Sequence, residues 1–193
     1  MFAPKLNKDT RPLGSIYVGM SLDGYIARKD GGIDFLDKFT QKTPKGEDCG
    51  YAAFSATYDV IVMGRNAFEK VLSFGFWPYD GKKCIVLSRN PMTFTQHPQV
   101  PADTEHSSEE PEVLMARLGN HGYKRVYIDG GVTAQRFLRA GQVDDLCVST
   151  LPVIIGEGLP LFGFVPKNVW LELRSSTCYP HGLVQTTYKV IKE

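Results

Sequence analysis

Three apolar runs in the sequence end in residues suited to gripping an anion: VIVMGRN (60–66), KCIVLSR (83–89) and VYIDGGVT (126–133). At the first, Gly64 leaves backbone N–H groups open and Arg65 adds a guanidinium fork just before a helix start at Asn66. At the second, Ser88 offers a hydroxyl and Arg89 a second fork. At the third, Gly130 and Gly131 let main chain approach a ligand closely ahead of a helix from Thr133, whose N-terminus favours negative charge. Each junction alone also reads as ordinary punctuation: a turn arginine, a strand terminator, a tight turn. Together they point to one phosphate-rich ligand, because loops and helix N-termini converge beyond the carboxyl ends of the strands in an open α/β sheet.

Neither G-x-G-x-x-G nor G-x-x-x-x-G-K-[ST] occurs, so the two commonest nucleotide fingerprints are absent. Two arginines at neighbouring strand ends suit the 2′-phosphate of NADP better than a free ribose hydroxyl, which would pair with a carboxylate. No cysteine or histidine spacing suits a metal. The four cysteines are scattered without a C-x-x-C, and the four histidines stand in turn-like company.

The elements that must position these junctions alternate. GSIYVGM (14–20) reads as a first strand, followed by a loop through GGIDFL. A helix is expected in DCGYAAFSATY (48–58), then the strand VIVMG and a short helix NAFEKVL, with Asn66 as N-cap and Glu69 completing a capping box. After KCIVL, the stretch SSEEPEVLMARLGNHG is an amphipathic helix with a serine cap. RVYID, TAQRFLRA and DLCVSTLPVII follow as strand, helix and strand. This order predicts a mainly parallel sheet flanked by helices. WLELRSSTCY and LVQTTYKVIKE around Pro180, His181 and Gly182 predict a closing antiparallel hairpin.

With 193 residues the chain is long enough for one α/β domain, expected over 14–193 behind a loose polar leader at 1–13. Twenty-two basic residues against 21 acidic argue against a polyanion-binding surface, so nucleic acid is not an expected partner. No apolar run has the length of a membrane span, and the first residues lack a signal-peptide core, so the expectation is a cytoplasmic protein without membrane contact.

The motifs MSLDGYIA, DGGIDFL, VIVMGRNAFE, IVLSR, VYIDGGVTAQRFLRAGQVDDL and PVIIGEGLPLF, in that order, resemble the dihydrofolate reductase-like proteins that share a domain with the bacterial riboflavin-biosynthesis reductase. The similarity runs from Ile16 to the final hairpin. It implies a dihydrofolate reductase-like fold, NADPH as cofactor and commonly a homodimer. By motif matching it puts Gly64, Arg65, Asn66, Ser88 and Arg89 on the adenosine 2′-phosphate, and Gly130, Gly131, Val132 and Thr133 on the pyrophosphate. Met20, Ile26 and Ala27 would line the nicotinamide.

The carboxylate that folate reductases place after a Trp-x-x-Pro-like stretch has no counterpart, since that region reads GGIDFLDKF. Asp34 or Asp37 could serve instead, and Asp34 is the candidate catalytic group, with apolar neighbours expected to raise its pKa. The competing reading of Asp34 is a helix cap. Asp23 in SLDGY reads as an Asx-turn, Trp77 as a cover for the core or a wall of the substrate site, and Glu157 as solvated. The leading function is hydride transfer from NADPH to a small heterocyclic, pteridine- or pyrimidine-like, or sugar-phosphate substrate, similar to 5-amino-6-(5-phosphoribosylamino)uracil reduction. The alternative is a non-catalytic NADP- or nucleotide-binding protein.

Overall fold

A computed structural model describes residues 11–90 and 100–192. In chain order the elements are β1 (Leu13–Ser21), β2 (Tyr25–Ala27), α1 (Asp34–Thr40), α2 (Tyr51–Ser55), β3 (Val60–Gly64), α3 (Arg65–Leu72), β4 (Lys83–Leu87), β5 (Glu105–Ser107), α4 (Pro111–Asn120), β6 (Arg125–Asp129), α5 (Gly131–Arg139), β7 (Asp145–Leu151), β8 (Leu159–Pro160), β9 (Leu171–Cys178) and β10 (Val184–Val190). Val60–Met63 and Cys84–Leu87 are buried without interruption, the mark of parallel strands covered on both faces.

Eight strands form one sheet in the order β5-β4-β3-β6-β1-β7-β10-β9. Every pairing from β5 through β7 is parallel. β10 returns antiparallel to β7, and β9 antiparallel to β10, which is the expected closing hairpin. One face of the sheet presents Val60, Val62, Ile85, Val126 and Ile128 to Leu114, Met115 and Leu118 of α4 and Phe137 of α5. The other presents Ile61, Met63, Val86 and Tyr127 to Phe68 and Val71 of α3 and to a group of aromatic rings. A third cluster seats Phe35 of α1 against Leu151 and Leu183.

Tertiary contacts move several expected boundaries. α3 begins at Arg65 with Gly64 as N-cap, so Asn66 sits inside the first turn and the capping box does not form; Glu69 takes an ion pair with Arg65 instead. α4 begins at Pro111 behind Glu110, because proline is preorganised for the first helical position, while the Ser107 hydroxyl receives the Glu109 N–H outside the helix. The expected helix at 48–58 is a five-residue α2 behind Gly50, whose φ of 85° turns the chain into it. β7 stops at Leu151, ahead of Pro152, which has no N–H for a ladder. The three-residue β5 and the ribbon of β2 with β8 were not expected.

Of the leader, residues 1–10 lie outside the described residues, but Arg11 is fixed. Its guanidinium forks onto both oxygens of Asp144 at 2.7 Å, and Asp144 also accepts the Gly14 N–H at 2.8 Å. Burial pushes the Asp144 carboxyl up, yet the Arg11 and Gly14 bonds outweigh it and leave the pKa below the ordinary value. A lowered folded-state pKa means stability that is present above the unfolded pKa and lost as pH falls through the folded one. Asp144→Asn is therefore expected to cost about 1–2 kcal/mol at neutral pH in urea unfolding, with the difference from the parent shrinking as pH drops below the carboxylate range. A difference that is constant down to acid pH would show that the charge is not the cause.

Candidate functional site

Because β1, β3, β4, β6 and β7 run parallel, their carboxyl ends share one edge. Register pairs Gly64 with Leu87 and Met63 with Asp129, so the three anion-type junctions foreseen in the sequence stand side by side. Two of them interlock. A methyl group at Gly64 would lie 3.1 Å from Thr133 Oγ1, and one at Gly130 would lie 3.3 Å from Ala67. Gly130 holds φ 86°, a conformation costly for any residue with a Cβ. Neither α3 nor α5 has a side-chain cap, so first-turn N–H groups of two neighbouring helices face the same edge without an internal acceptor.

Arg65 donates through Nε to Glu69 at 2.7 Å, an exposed pair on one turn of α3 that leaves its Nη atoms for an anion. Ser88 lies just past β4, where its hydroxyl accepts the Asn90 N–H and its carbonyl meets His106 Nε2 at 2.8 Å. Arg89 is exposed beside it, and Asn66 is exposed on α3. Val132 is 72% exposed at the α5 N-terminus while Thr133 is buried.

Met20, Ile26 and Ala27 frame this edge from β1 and the β2–β8 ribbon. Met20 and Ile26 pack partly buried against the core, and Ala27 is buried. The ribbon is stapled from several sides. Asp23 accepts the Ile155 and Gly156 N–H groups, Lys29 pairs with Glu157, and Gln135 of α5 donates to Pro160 O at 3.0 Å. Asp23 is thus a cross-loop tie and Glu157 a surface ion-pair partner. Gly131 is the point of closest approach, since a Cβ there would meet Pro160 O at 3.0 Å and Ile26 at 3.1 Å. A side chain there would need the protein's own ribbon to give by a few tenths of an ångström, apart from the space a pyrophosphate would take.

Asp34 differs from expectation in its surroundings. It is the first residue of α1, makes no capping bond, and its exposed carboxylate is held by Arg28, with Nε at 2.5 Å and Nη2 at 3.0 Å. The Arg28 hydrogen bond holds its pKa below the ordinary value, the opposite of the raised pKa that its apolar neighbours suggested. Asp37 is exposed as well, because α1 turns Phe35, Leu36 and Phe39 toward the sheet. Trp77 covers the core, edge-on to Phe68 and Tyr79.

The carboxyl group that stands at the converging strand ends is Asp129, the last residue of β6. Tyr127 packs into the aromatic cluster, and Asp129, two residues on, projects from the same face. The Tyr127 hydroxyl donates to Tyr17 O at 3.0 Å and lies 3.5 Å from Asp129 Oδ1. Burial raises the Asp129 pKa against the opposing pull of the Gly130 N–H and the Tyr127 hydroxyl. Its signal in the sequence is a lone acid that closes a buried strand directly before two glycines. Among the described residues no group of His, Cys, Asp and Glu could hold a metal ion.

With this geometry in view, the chain matches the family model "RibD C-terminal domain" over residues 15–185. It is 32% identical over 165 residues to the uncharacterized protein YwjB of Bacillus subtilis, covering 83% of this chain and 88% of that one. A crystal structure of a putative riboflavin biosynthesis protein from Shewanella sp. PV-4 superposes with a TM-score of 0.84 at 34% identity, over 93% of this chain and 99% of that one. A Thermotoga maritima diaminohydroxyphosphoribosylaminopyrimidine deaminase/5-amino-6-(5-phosphoribosylamino)uracil reductase gives 0.70 at 15% identity, over 95% of this chain and 58% of that one. Dihydrofolate reductase from Enterococcus faecalis, complexed with NADP(H), gives 0.59 at 18% identity over 93% and 97%, which marks the fold as dihydrofolate reductase-like.

The close packing at Gly131 generates a test. Gly131→Ala is expected to loosen the β2–β8 ribbon and lower the urea midpoint, with limited proteolysis cutting faster within residues 22–31 and 152–162. Unchanged proteolysis would show that the ribbon yields without cost.

Proposed function

Since this chain belongs to the RibD C-terminal domain family, we propose that it is an NADPH-dependent reductase acting on a small pteridine- or pyrimidine-like heterocycle or its sugar phosphate. One observation carries the cofactor assignment: the uncapped N-termini of α3 and α5 meet at one sheet edge beside Arg65 and Arg89. Helix N-termini and free N–H groups stabilise phosphate oxygens, and guanidinium forks add bidentate contacts.

The residues present fit a dinucleotide with a 2′-phosphate. Arg65 and Arg89, with Asn66 and Ser88, would hold the 2′-phosphate side, and the Gly130–Thr133 turn would hold the pyrophosphate. Met20, Ile26 and Ala27 are apolar and would wall the nicotinamide from water. When bound, the cofactor supplies a hydride. The chain's own work is to align the two partners and exclude solvent, the usual protein share of such reactions. The exposed Arg28–Asp34 pair is best placed to fasten α1 to the end of β2, with Asp34 in a positioning role. A non-catalytic NADP-binding protein is the competing outcome, and NADPH oxidation with dihydrofolate and 5-amino-6-(5-phosphoribosylamino)uracil separates it from the reductase.

A homodimer is also part of this reading. β9 is exposed along its whole length, with Leu173 55% exposed, and Trp170 beside it is 58% exposed. Next to it, Phe162, Phe164, Trp170 and Leu171 line an apolar cavity of about 410 Å³. A long exposed edge strand with apolar side chains is a pairing surface. No described helix is long and apolar enough to cross a membrane, and the proposed setting is the cytoplasm.

Two outcomes follow. NADPH should bind more tightly than NADH in calorimetry, and Arg65→Ala should weaken NADPH by roughly ten- to hundredfold while changing NADH little; equal affinities for both cofactors would count against the 2′-phosphate role. Light scattering should report two chains for the parent and one for Leu173→Asp. A monomeric parent would remove the homodimer.

A further inference from the structure

Asp129 ends β6, the strand inserted between β1 and β3, and the turn Gly130–Gly131 and the N-terminus of α5 follow it directly. Its side chain stands on the face of the sheet that carries Tyr127, Met63 and Tyr17, with Met63 as its register partner on β3. Farther along the same edge the wall is apolar: a Cβ at Gly19 of β1 would lie 3.3 Å from Leu36 of α1 and 3.5 Å from Leu151. α1 therefore brings methyl groups, not carboxylates, to this side.

Four acids sense the Asp129 charge. They are Tyr127 on its own strand, Tyr51 of α2, Tyr79 in the segment after α3, and Cys84 of β4. Their pKa values are all raised, first by burial and further by the Asp129 charge, with Cys84 pushed up to about 12. Among the described residues no cation pairs with Asp129; Lys82, at the opposite, amino end of the strands, donates to Tyr58 O and lies 4.7 Å from the Tyr58 ring. An acid that is desolvated, unpaired and surrounded by neutral phenols keeps its proton to higher pH than its exposed relatives.

We propose that Asp129 is the catalytic acid of this site, its carboxyl group supplying the proton that the heteroatom of a substrate's C=N or C=O bond takes on reduction. This rests on the reductase reading above. When bound, NADPH would supply the hydride that forms the new C–H bond, the π electrons of the C=N or C=O bond would move to the heteroatom, and Asp129 would give that heteroatom its proton. The products are NADP+, the reduced substrate and an Asp129 carboxylate that regains a proton from water at the open edge. The Tyr127 hydroxyl, 3.5 Å from Oδ1, stabilises that transient carboxylate by turning its one proton from Tyr17 O toward Oδ1. The active form is the protonated one, so turnover falls as pH rises through the Asp129 pKa.

Asp129→Asn keeps the shape and tests the assignment with three readouts. Carboxyl NMR of the aspartate-labelled chain should show one resonance titrating above the other aspartates, absent from the variant. NADPH affinity by calorimetry should stay within about threefold, while turnover with 5-amino-6-(5-phosphoribosylamino)uracil or dihydrofolate drops roughly a hundredfold and loses its fall toward alkaline pH. Failure of the unmutated chain to bind NADPH overturns the reductase reading and this assignment together. Normal NADPH binding with no high-titrating carboxyl, or with a variant that matches the parent in rate and pH profile, overturns the assignment alone. A variant that loses NADPH affinity as much as turnover makes Asp129 part of the phosphate turn and overturns it too.

Discussion

The pairing of β6 with both β1 and β3 is the constraint on which the rest of this molecule depends. The chain leaves β1, passes over the place that β6 will later occupy, and lays down β3 with one strand's width open between them. When β6 enters parallel to both, its carboxyl end comes to lie between theirs, and whatever follows it must turn within a confined space. That space explains the glycines. Gly130 adopts φ 86° and meets Ala67 of α3, Gly64 meets Thr133 of α5, and Gly131 meets the ribbon. Two helices begin this close together here because the N-cap of each is a glycine, Gly64 and Gly130.

The same packing gives the glycine pair two duties. A backbone able to approach a phosphate is also one that neighbouring protein can approach, and at Gly131 the neighbour is Pro160 O and Ile26. The ribbon is thereby coupled to the α5 N-terminus. It is tied at one end by Asp23 to Ile155 and Gly156, and at the other by Gln135 to Pro160. Met20, Ile26 and Ala27 and the Gly130–Gly131 turn are thus parts of one connected assembly, as the proposed cofactor would need.

Most of the sheet was legible in the sequence because parallel strands covered on both sides must be apolar throughout, and VIVMG, KCIVL and RVYID are nearly so. The junction residues at 64–66, 88–89 and 130–133 were legible for the same reason, since they punctuate those runs. What was not legible depends on partners distant in the chain. The ribbon exists only because residues near 160 return to residues near 26, and neither stretch has a strand pattern of its own. Helix starts moved because Gly64 and Pro111 fit the entry geometry better than the polar residues expected to cap. Asp34 was judged by its apolar neighbours in sequence, whereas its proton affinity is governed by Arg28, six residues earlier and folded back against it. Asp129 reads in the sequence only as the end of a strand, because the tyrosines that sense its charge, Tyr51 and Tyr79, come from segments that no local pattern brings near it.

Gln185 of β10 donates to the Tyr17 hydroxyl, the Cys49 carbonyl and the Ser149 hydroxyl, each at 3.0 Å, and the first of these contacts spans 168 residues. Such sequence-distant closures are made late, after the entropy of a long loop has been overcome. During synthesis Tyr17, Tyr51, Phe54 and Tyr58 can meet as soon as β1, α2 and β3 have left the ribosome, yet the Gln185 bond to the Cys49 carbonyl waits for β10. The sheet is therefore begun early and closed last, since a chain ending just short of Gln185 would lack β10, leave β9 without its partner, and hold at most six of the eight strands together.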